Sequence, residues 1–271
     1  MFAFGSMQMS SDGRKIAFSI TDPKDGSDNI WVHNVNSHQT TRLTFEKFVA
    51  QHPRWSPDGS VLLFNSSGYG NPQISRISVA GVGEAERIFA SEHSQIAESW
   101  SPDGRYLIFD QNPVDKMSDR TLWVLQMTGE KKPYPLFAAS HSQQWGAAFS
   151  PDGKWVAYVS NESGDSEIYV APFPDVRAKL QISNSTSSWA RWSRDGRQLF
   201  YIGKDHSVMA ATLRFAASGI EVAATQMLFK LDIPEFEISD DGKRFLVFKI
   251  VENQESSTVT LINNWLRPLP K

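Results

Sequence analysis

Trp55-Ser56-Pro57-Asp58-Gly59 decides the reading of this chain, because its pattern occurs six times. It stands unchanged at Trp100-Ser101-Pro102-Asp103-Gly104. It returns with substitutions at Phe149-Ser150-Pro151-Asp152-Gly153, Trp192-Ser193-Arg194-Asp195-Gly196, Ile238-Ser239-Asp240-Asp241-Gly242 and Met9-Ser10-Ser11-Asp12-Gly13. Ser-x-Asp-Gly is kept in all six, and a large apolar residue always precedes it. The aspartates at 12, 58, 103, 152, 195 and 241 are 46, 45, 49, 43 and 46 residues apart. A period of that length is the mark of a solenoid, propeller or array. Six such units use up all 271 residues, so one domain is expected, with blades at 1–45, 46–90, 91–138, 139–183, 184–230 and 231–271.

Each unit carries the same strand signals. A run rich in β-branched and aromatic residues follows the Asp-Gly, as in Val61–Asn65, Tyr106–Asp110 and Trp155–Ser160. A second follows a polar loop, as in Gln73–Val79 and Glu167–Pro172, then a shorter third, as in Thr41–Phe45, Lys179–Ser183 and Met227–Lys230. With the short run before each Ser-x-Asp-Gly this makes four strands per unit, the pattern of a propeller blade. No segment sustains a helical period. The fold class is therefore all-β, a six-bladed propeller with four-stranded antiparallel blades. Blades bury their faces by stacking on one another, so Met9, Trp55, Trp100, Phe149, Trp192 and Ile238 are read as core between blades. The last blade shows three clear strands, so the ring is expected to close by pairing this sheet with the N-terminal stretch, where only Phe2–Gly5 could serve as an outer strand, or to stay weakly latched. The first blade or the closure is expected to be irregular.

The repeated turn has its own chemistry. Pro presets φ, Asp bonds nearby backbone N–H groups, and Gly takes the left-handed position. Asp12, Asp58, Asp103, Asp152, Asp195 and Asp241 are thus structural turn residues. Each belongs to a different blade, so they cannot converge on one metal ion.

Composition narrows the function classes. The chain has 27 basic and 30 acidic residues, a net charge of −3, so it has no general attraction for nucleic acid or an anionic membrane. It has no cysteine, which excludes disulfides, thiolate chemistry and Cys-based zinc sites. No apolar run reaches the roughly 18 residues of a membrane span, and no signal peptide is visible at the N-terminus. No Gly-x-Ser-x-Gly, His-Arg-Asp or Asp-Phe-Gly occurs.

Trp-Ser-Pro-Asp-Gly, the strand after it and the Leu43-Thr44 ending resemble the WD40-like PD40 family, the β-propeller repeat of TolB, over essentially the whole chain. Phe149–Gly164, Glu167–Pro174, Arg191–Gly196 and Leu261–Trp265 are similar to the propeller that follows the kinase domain in some bacterial serine/threonine protein kinases. The resemblance implies a propeller with no chemistry of its own in most members. It also implies an extracytoplasmic place if the chain is part of a longer protein, and a cytoplasmic one otherwise.

Candidate binding residues sit in the loops before the inner strands. His93-Ser94-Gln95 and His141-Ser142-Gln143 repeat a triplet, and His52 lies in a third such loop. Arg54 and Arg191 each precede a motif Trp, Glu98 lies two before another, and Trp145 and Trp189 stand outside the motif. No catalytic or metal-ligating residue is assigned, and no cofactor is expected. A metal reading through His93, His141 and Glu98 fails on unequal spacing. The expected function is a non-catalytic module, a monomer, that binds a protein or peptide, as sensor or scaffold of a larger bacterial signalling protein. The alternatives are a metal-dependent lactonase-like hydrolase, with Glu98, Glu237 and Asn184 as donors, and a small-molecule or glycan-binding propeller.

Overall fold

The computed structural model describes residues 3–263 apart from 46, 82, 114–115, 117–118, 138–141, 217–218, 234, 240–243 and 250–257. The described chain is all-β, with one short 3-10 turn at Lys204–His206. It forms two compact units, one built on the residues up to Pro135 and one on those from Leu136 onward.

The first unit holds three sheets. The first has β1 (Ala3–Met9), β2 (Lys15–Thr21), β3 (Asp28–Asn34) and β4 (Thr40–Arg42). The second has β5 (Ala50–Trp55), β6 (Val61–Ser66), β7 (Gln73–Ser78) and β8 (Glu86–Arg87). The third has β9 (Ser94–Trp100), β10 (Tyr106–Asn112), β11 (Thr121–Gln126) and β12 (Tyr134–Pro135). In the second unit, β13 (Gln144–Phe149), β14 (Trp155–Ser160), β15 (Glu167–Pro172) and β16 (Leu180–Gln181) form the fourth sheet. The fifth has β17 (Ser188–Trp192), β18 (Gln198–Ile202), β19 (Ser207–Ala216) and β20 (Gly219–Lys230). The sixth shows β21 (Phe236–Ile238), β22 (Arg244–Lys249) and β23 (Thr258–Asn263) among the described residues. Strands pair antiparallel in chain order, so every sheet is a meander.

The second strand of each four-stranded sheet is buried on both faces, as its unbroken apolar run demands. In β6, Leu62, Leu63 and Phe64 are fully buried. Leu62 and Phe64 pack with Ile30, Val32 and Leu43 of the first sheet and its exit. Leu63 faces the other way, in a cluster with Ala97, Leu107 and Phe109 of the third sheet. In the second unit, Val159 and Val170 pack with Leu199 and Leu213, while Phe200 packs with Phe236 and Phe245. Within each unit, then, neighbouring sheets stack face to face. The outer strands β8, β12 and β16 have two residues each, which leaves little unpaired edge.

Three expectations need correction. The N-terminal stretch does not serve as an outer strand: Ala3 and Phe4 pair with Thr21 and Ile20, inside the first strand of the first sheet. A bulge between Phe4 and Met7 lets that strand run on from the turn copy at Ser10. The outer strand of the fifth sheet is not the short Met227–Lys230 but the 12-residue β20, which pairs along the whole of β19 with two bulges. Trp100 and Ile238 are half-buried, though each packs against a cluster that joins its sheet to the preceding one, whereas Met9, Trp55, Phe149 and Trp192 are buried. The indole N–H of Trp55 donates to the Gln8 carbonyl at 3.1 Å and that of Trp192 to the Ala148 carbonyl at 3.0 Å, each one sheet back. The Trp100 indole turns to the Gly104 carbonyl of its own turn.

The five described turns share one geometry. The Ser hydroxyl donates to the Asp carboxylate at 2.6–2.7 Å in each. The same carboxylate accepts the backbone N–H two residues on at 3.0–3.1 Å. The Ser oxygen also accepts the N–H that opens the next strand, as from Tyr106 and Trp155. The turn glycines have φ between 67° and 72°, a conformation in which a side chain is strained. The bonds from Ser101 and Arg105 hold Asp103 down to about 2.

Candidate functional site

Each inner strand of the four-stranded sheets bulges just before its motif residue. In β5, β13 and β17 the bulge places a left-handed residue three positions before the motif aromatic: His52 (φ 54°), Gly146 (φ 64°) and Trp189 (φ 56°). Glycine adopts that conformation freely, whereas His and especially Trp do so at a cost.

In the first unit this geometry gathers His52, Arg54 and Glu98 around two residues not singled out in the sequence, Asp110 and Arg120. Arg54 donates Nε to the Glu98 carbonyl at 2.9 Å and a terminal nitrogen to its neighbouring Pro53 carbonyl at 3.0 Å. Its other terminal nitrogen lies 4.0 Å from the Glu98 carboxylate. Arg120 reaches the same carboxylate at 3.6 Å and donates through Nε to Asp110 Oδ2 at 2.7 Å. Asp110 is fully buried, and its Oδ1 has no hydrogen-bond partner among the described residues. Burial and the Glu98 charge push the Asp110 carboxyl upward, against the pull of Arg120. Burial, then the Arg54 and Arg120 charges, depress the His52 imidazole to about 4, so it is neutral at pH 7.

The second unit repeats the motif with Trp189, Arg191 and Glu237. Arg191 donates to Glu237 Oε1 and to the Ala190 carbonyl, and its guanidinium lies 4.6 Å from the Trp189 ring centre. The Trp189 indole donates to the Phe236 carbonyl at 2.7 Å. Trp145 packs half-buried against the core of the fourth and fifth sheets. His93 is exposed, and its carbonyl accepts from Gln73. His141 and Asp241 lie outside the described residues. His52, Arg54 and Glu98 in the first unit and Trp189 and Arg191 in the second thus belong to two ionic clusters that tie neighbouring inner strands, whereas His93 and Trp145 stand apart. Among the described residues no three His, Asp or Glu side chains stand close enough together to hold a metal ion.

A different feature escaped the sequence reading. A cavity of about 510 Å³ opens between the end of the first sheet and the face of the second. Leu43, Thr44, Phe45 and Phe48 line one side, and Ser75, Ile77 and Tyr69 the other. Phe45, Phe48 and Tyr69 are 75%, 50% and 44% exposed, so the rim is aromatic and open to water. Arg42 lies over the Phe45 ring and Arg87 over Tyr69, at 4.9 and 4.6 Å. The loop is fastened on both sides: Val49 exchanges bonds with Ser67, and the Asp28 N–H donates to the Phe48 carbonyl. The signal in the sequence was Ser75, a small residue in a column that is otherwise large.

Repeated four-stranded meanders, inner-strand bulges and a Ser-x-Asp-Gly turn at every inner corner define a β-propeller repeat protein. The model of the lipoprotein LpqB beta-propeller domain matches residues 121–261, just over half of the chain, and that of the TolB beta propeller domain matches residues 3–128. The chain belongs to this TolB-like β-propeller family. An uncharacterized protein of Agrobacterium fabrum is 31% identical over 151 residues, 54% of this chain and 48% of that protein. The uncharacterized peptidase YuxL of Bacillus subtilis is 25% identical over 193 residues, 57% of this chain and 29% of that protein. The chain thus spans less than half the length of these two relatives. The crystal structure of TolB from Acinetobacter baumannii superimposes with a TM-score of 0.74 at 16% identity, covering 94% of this chain and 62% of that one. Among the described residues no helix is long and apolar enough to cross a membrane.

Proposed function

We propose that this chain is a non-catalytic binding module that takes a protein or peptide partner on the aromatic and cationic surface of its first unit, in an extracytoplasmic setting. One observation carries the reading: three exposed aromatic rings, Phe45, Phe48 and Tyr69, surround a cavity with Arg42 and Arg87 stacked beside them. Tyr, Phe and Arg are the residues enriched where proteins meet, and exposed apolar patches rimmed by polar groups mark such sites. The buried charges of Arg54, Glu98, Asp110 and Arg120 are spent on one another. Their proposed role is to hold the inner strands in place.

The test is a selection of random peptides displayed on phage against the whole chain, followed by binding of the winners to Phe48→Ser and Tyr69→Ser variants. Enriched peptides that lose at least roughly tenfold in affinity on either variant fit the loss of an interface anchor. Peptides that bind both variants as well as the parent would count against this surface.

A further inference from the structure

Ser75 breaks a column. In each four-stranded sheet the aromatic six residues after the motif aspartate pairs with a residue of the third strand that also pairs with the outer strand. Those third-strand residues are Trp31 (with Phe18 and Arg42), Ser75 (with Phe64 and Arg87), Trp123 (with Phe109 and Pro135), Tyr169 (with Tyr158 and Gln181) and Met209 (with Tyr201 and Met227). Four of the five are large.

The neighbours of this position are equivalent too. Leu43, Ile88 and Ile182 each donate a backbone N–H to the matching carbonyl, of Ile30, Ile74 and Ile168. Between the second and third sheets Trp123 packs in the cluster that contains Ile88. Between the fourth and fifth sheets Met209 packs in the one that contains Ile182. Between the first and second sheets this position holds only the stub of Ser75, and the cavity of about 510 Å³, lined by Leu43 and Ser75, opens there. The void is the space that a large side chain of the third strand fills elsewhere. Its size falls within the range of ordinary ligand pockets, roughly 300–1,000 Å³.

The floor is not wholly apolar. Ser75 is 1% exposed, and its Oγ has no hydrogen-bond partner among the described residues. A buried hydroxyl without a partner is uncommon and calls for one. We propose that this cleft is a binding pocket for a tyrosyl side chain of a partner polypeptide. The ring lies among Leu43, Phe48, Ile77 and Tyr69, and its hydroxyl bonds Ser75 Oγ. A phenol suits the site better than an indole because its hydroxyl lies at the far end of the ring from the point of attachment. It therefore meets the floor while the peptide stays at the rim. The backbone of the partner then runs past Phe45, where Arg42 stands. The assignment rests on the peptide-binding reading only in taking the ring to belong to a polypeptide.

The experiment uses free amino-acid derivatives, so it succeeds or fails independently of whether a macromolecular partner is found. N-acetyl-tyrosinamide and N-acetyl-phenylalaninamide are titrated into the full chain, and the backbone amide signals of Ser75 and Ile77 are followed by NMR. The tyrosine derivative is expected to bind about three- to tenfold more tightly, the worth of one hydrogen bond to a group otherwise left unsatisfied. Ser75→Ala is expected to erase that preference while keeping weak binding of both. Ser75→Trp restores the residue type that Trp31 and Trp123 supply to their own sheets, so it should fold and abolish both. Equal binding of the two derivatives to the parent chain, or binding undiminished in a folded S75W, would overturn the assignment, as would no binding of either.

Discussion

Arg191 and Glu237 meet through a fork onto one oxygen: Nε lies 2.8 Å and a terminal nitrogen 2.7 Å from Oε1. Their side chains are 16% and 6% exposed, so water does little to screen the pair. The two residues belong to consecutive inner strands, as do Arg54 and Glu98 in the other unit, where the carboxylate is held less closely at 4.0 Å. Removing one partner strands the other in a poorly hydrated place. Glu237→Leu is therefore expected to cost about 3 kcal/mol, and the double variant R191M/E237L less than that, because no uncompensated charge remains. Urea unfolding of the parent, both single variants and the double variant completes the cycle. Additive losses would show that the fork contributes nothing beyond its separate side chains.

His52 sets a pH dependence of stability. Its imidazole is depressed from 6.5 to about 4, first by burial and then by Arg54 and Arg120. The unfolded chain holds that proton at higher pH than the folded one. Unfolding therefore takes up a proton between about 4 and 6.5, and this contribution to stability is lost as pH falls through that window. Asp110, pushed upward, acts in the opposite sense, so the parent chain alone does not isolate the effect. His52→Asn does isolate it, because Asn has no charge to gain and tolerates the left-handed backbone at this bulge. The parent should lose more stability than H52N between pH 7 and pH 4.5 in matched urea titrations. A constant difference between the two would sink the assignment.

Tyr158 carries a hydroxyl that the fold does not use. The side chain is 1% exposed, lies against Phe137 and stacks on Tyr169, and its OH has no partner among the described residues. Burial raises its pKa, with smaller contributions from Glu162 and Tyr169. The matching positions in the first three sheets, Phe18, Phe64 and Phe109, are phenylalanine. Tyr158→Phe removes a desolvated hydroxyl and keeps the ring. Stability should stay level or rise by up to about 1 kcal/mol, visible as an unchanged or higher melting temperature. A fall of that size would mean that the hydroxyl has a partner in solution.

The architecture was legible because its signals are local and repeated. Ser-x-Asp-Gly carries its own hydrogen bonds, so each copy announces a turn without help from distant residues. The ionic cluster was half legible. Arg54 and Glu98 stood out beside the motif, but Asp110 sits inside an apolar strand and Arg120 follows a loop, and only folding brings the four together. β20 was misread because Gly219–Gln226 is mostly small and polar; its pairing comes from β19, not from its own propensity. Ser75 is legible in the aligned repeats, since it stands at the position that Trp31, Trp123, Tyr169 and Met209 hold in the other four-stranded sheets. A reading that searched for reactive residues passed over a position defined by what it lacks.

The motif tryptophans themselves divide into two kinds. Trp192 is 8% exposed, and its indole N–H bonds the Ala148 carbonyl of the neighbouring sheet. Trp100 is half-buried and bonds only the Gly104 carbonyl of its own turn. Replacing either by Phe removes the N–H and part of the ring, so the two substitutions are chemically the same and differ in burial and in what the bond joins. W192F unlinks two sheets in a buried place and should cost about 2–3 kcal/mol, whereas W100F opens a turn to water and should cost under about 1 kcal/mol. Urea unfolding followed by circular dichroism measures both without relying on indole fluorescence. Equal costs would mean that the indole serves only as volume in this motif. A larger loss for W192F would instead fit a tryptophan whose burial and bond to the preceding sheet together hold the two sheets.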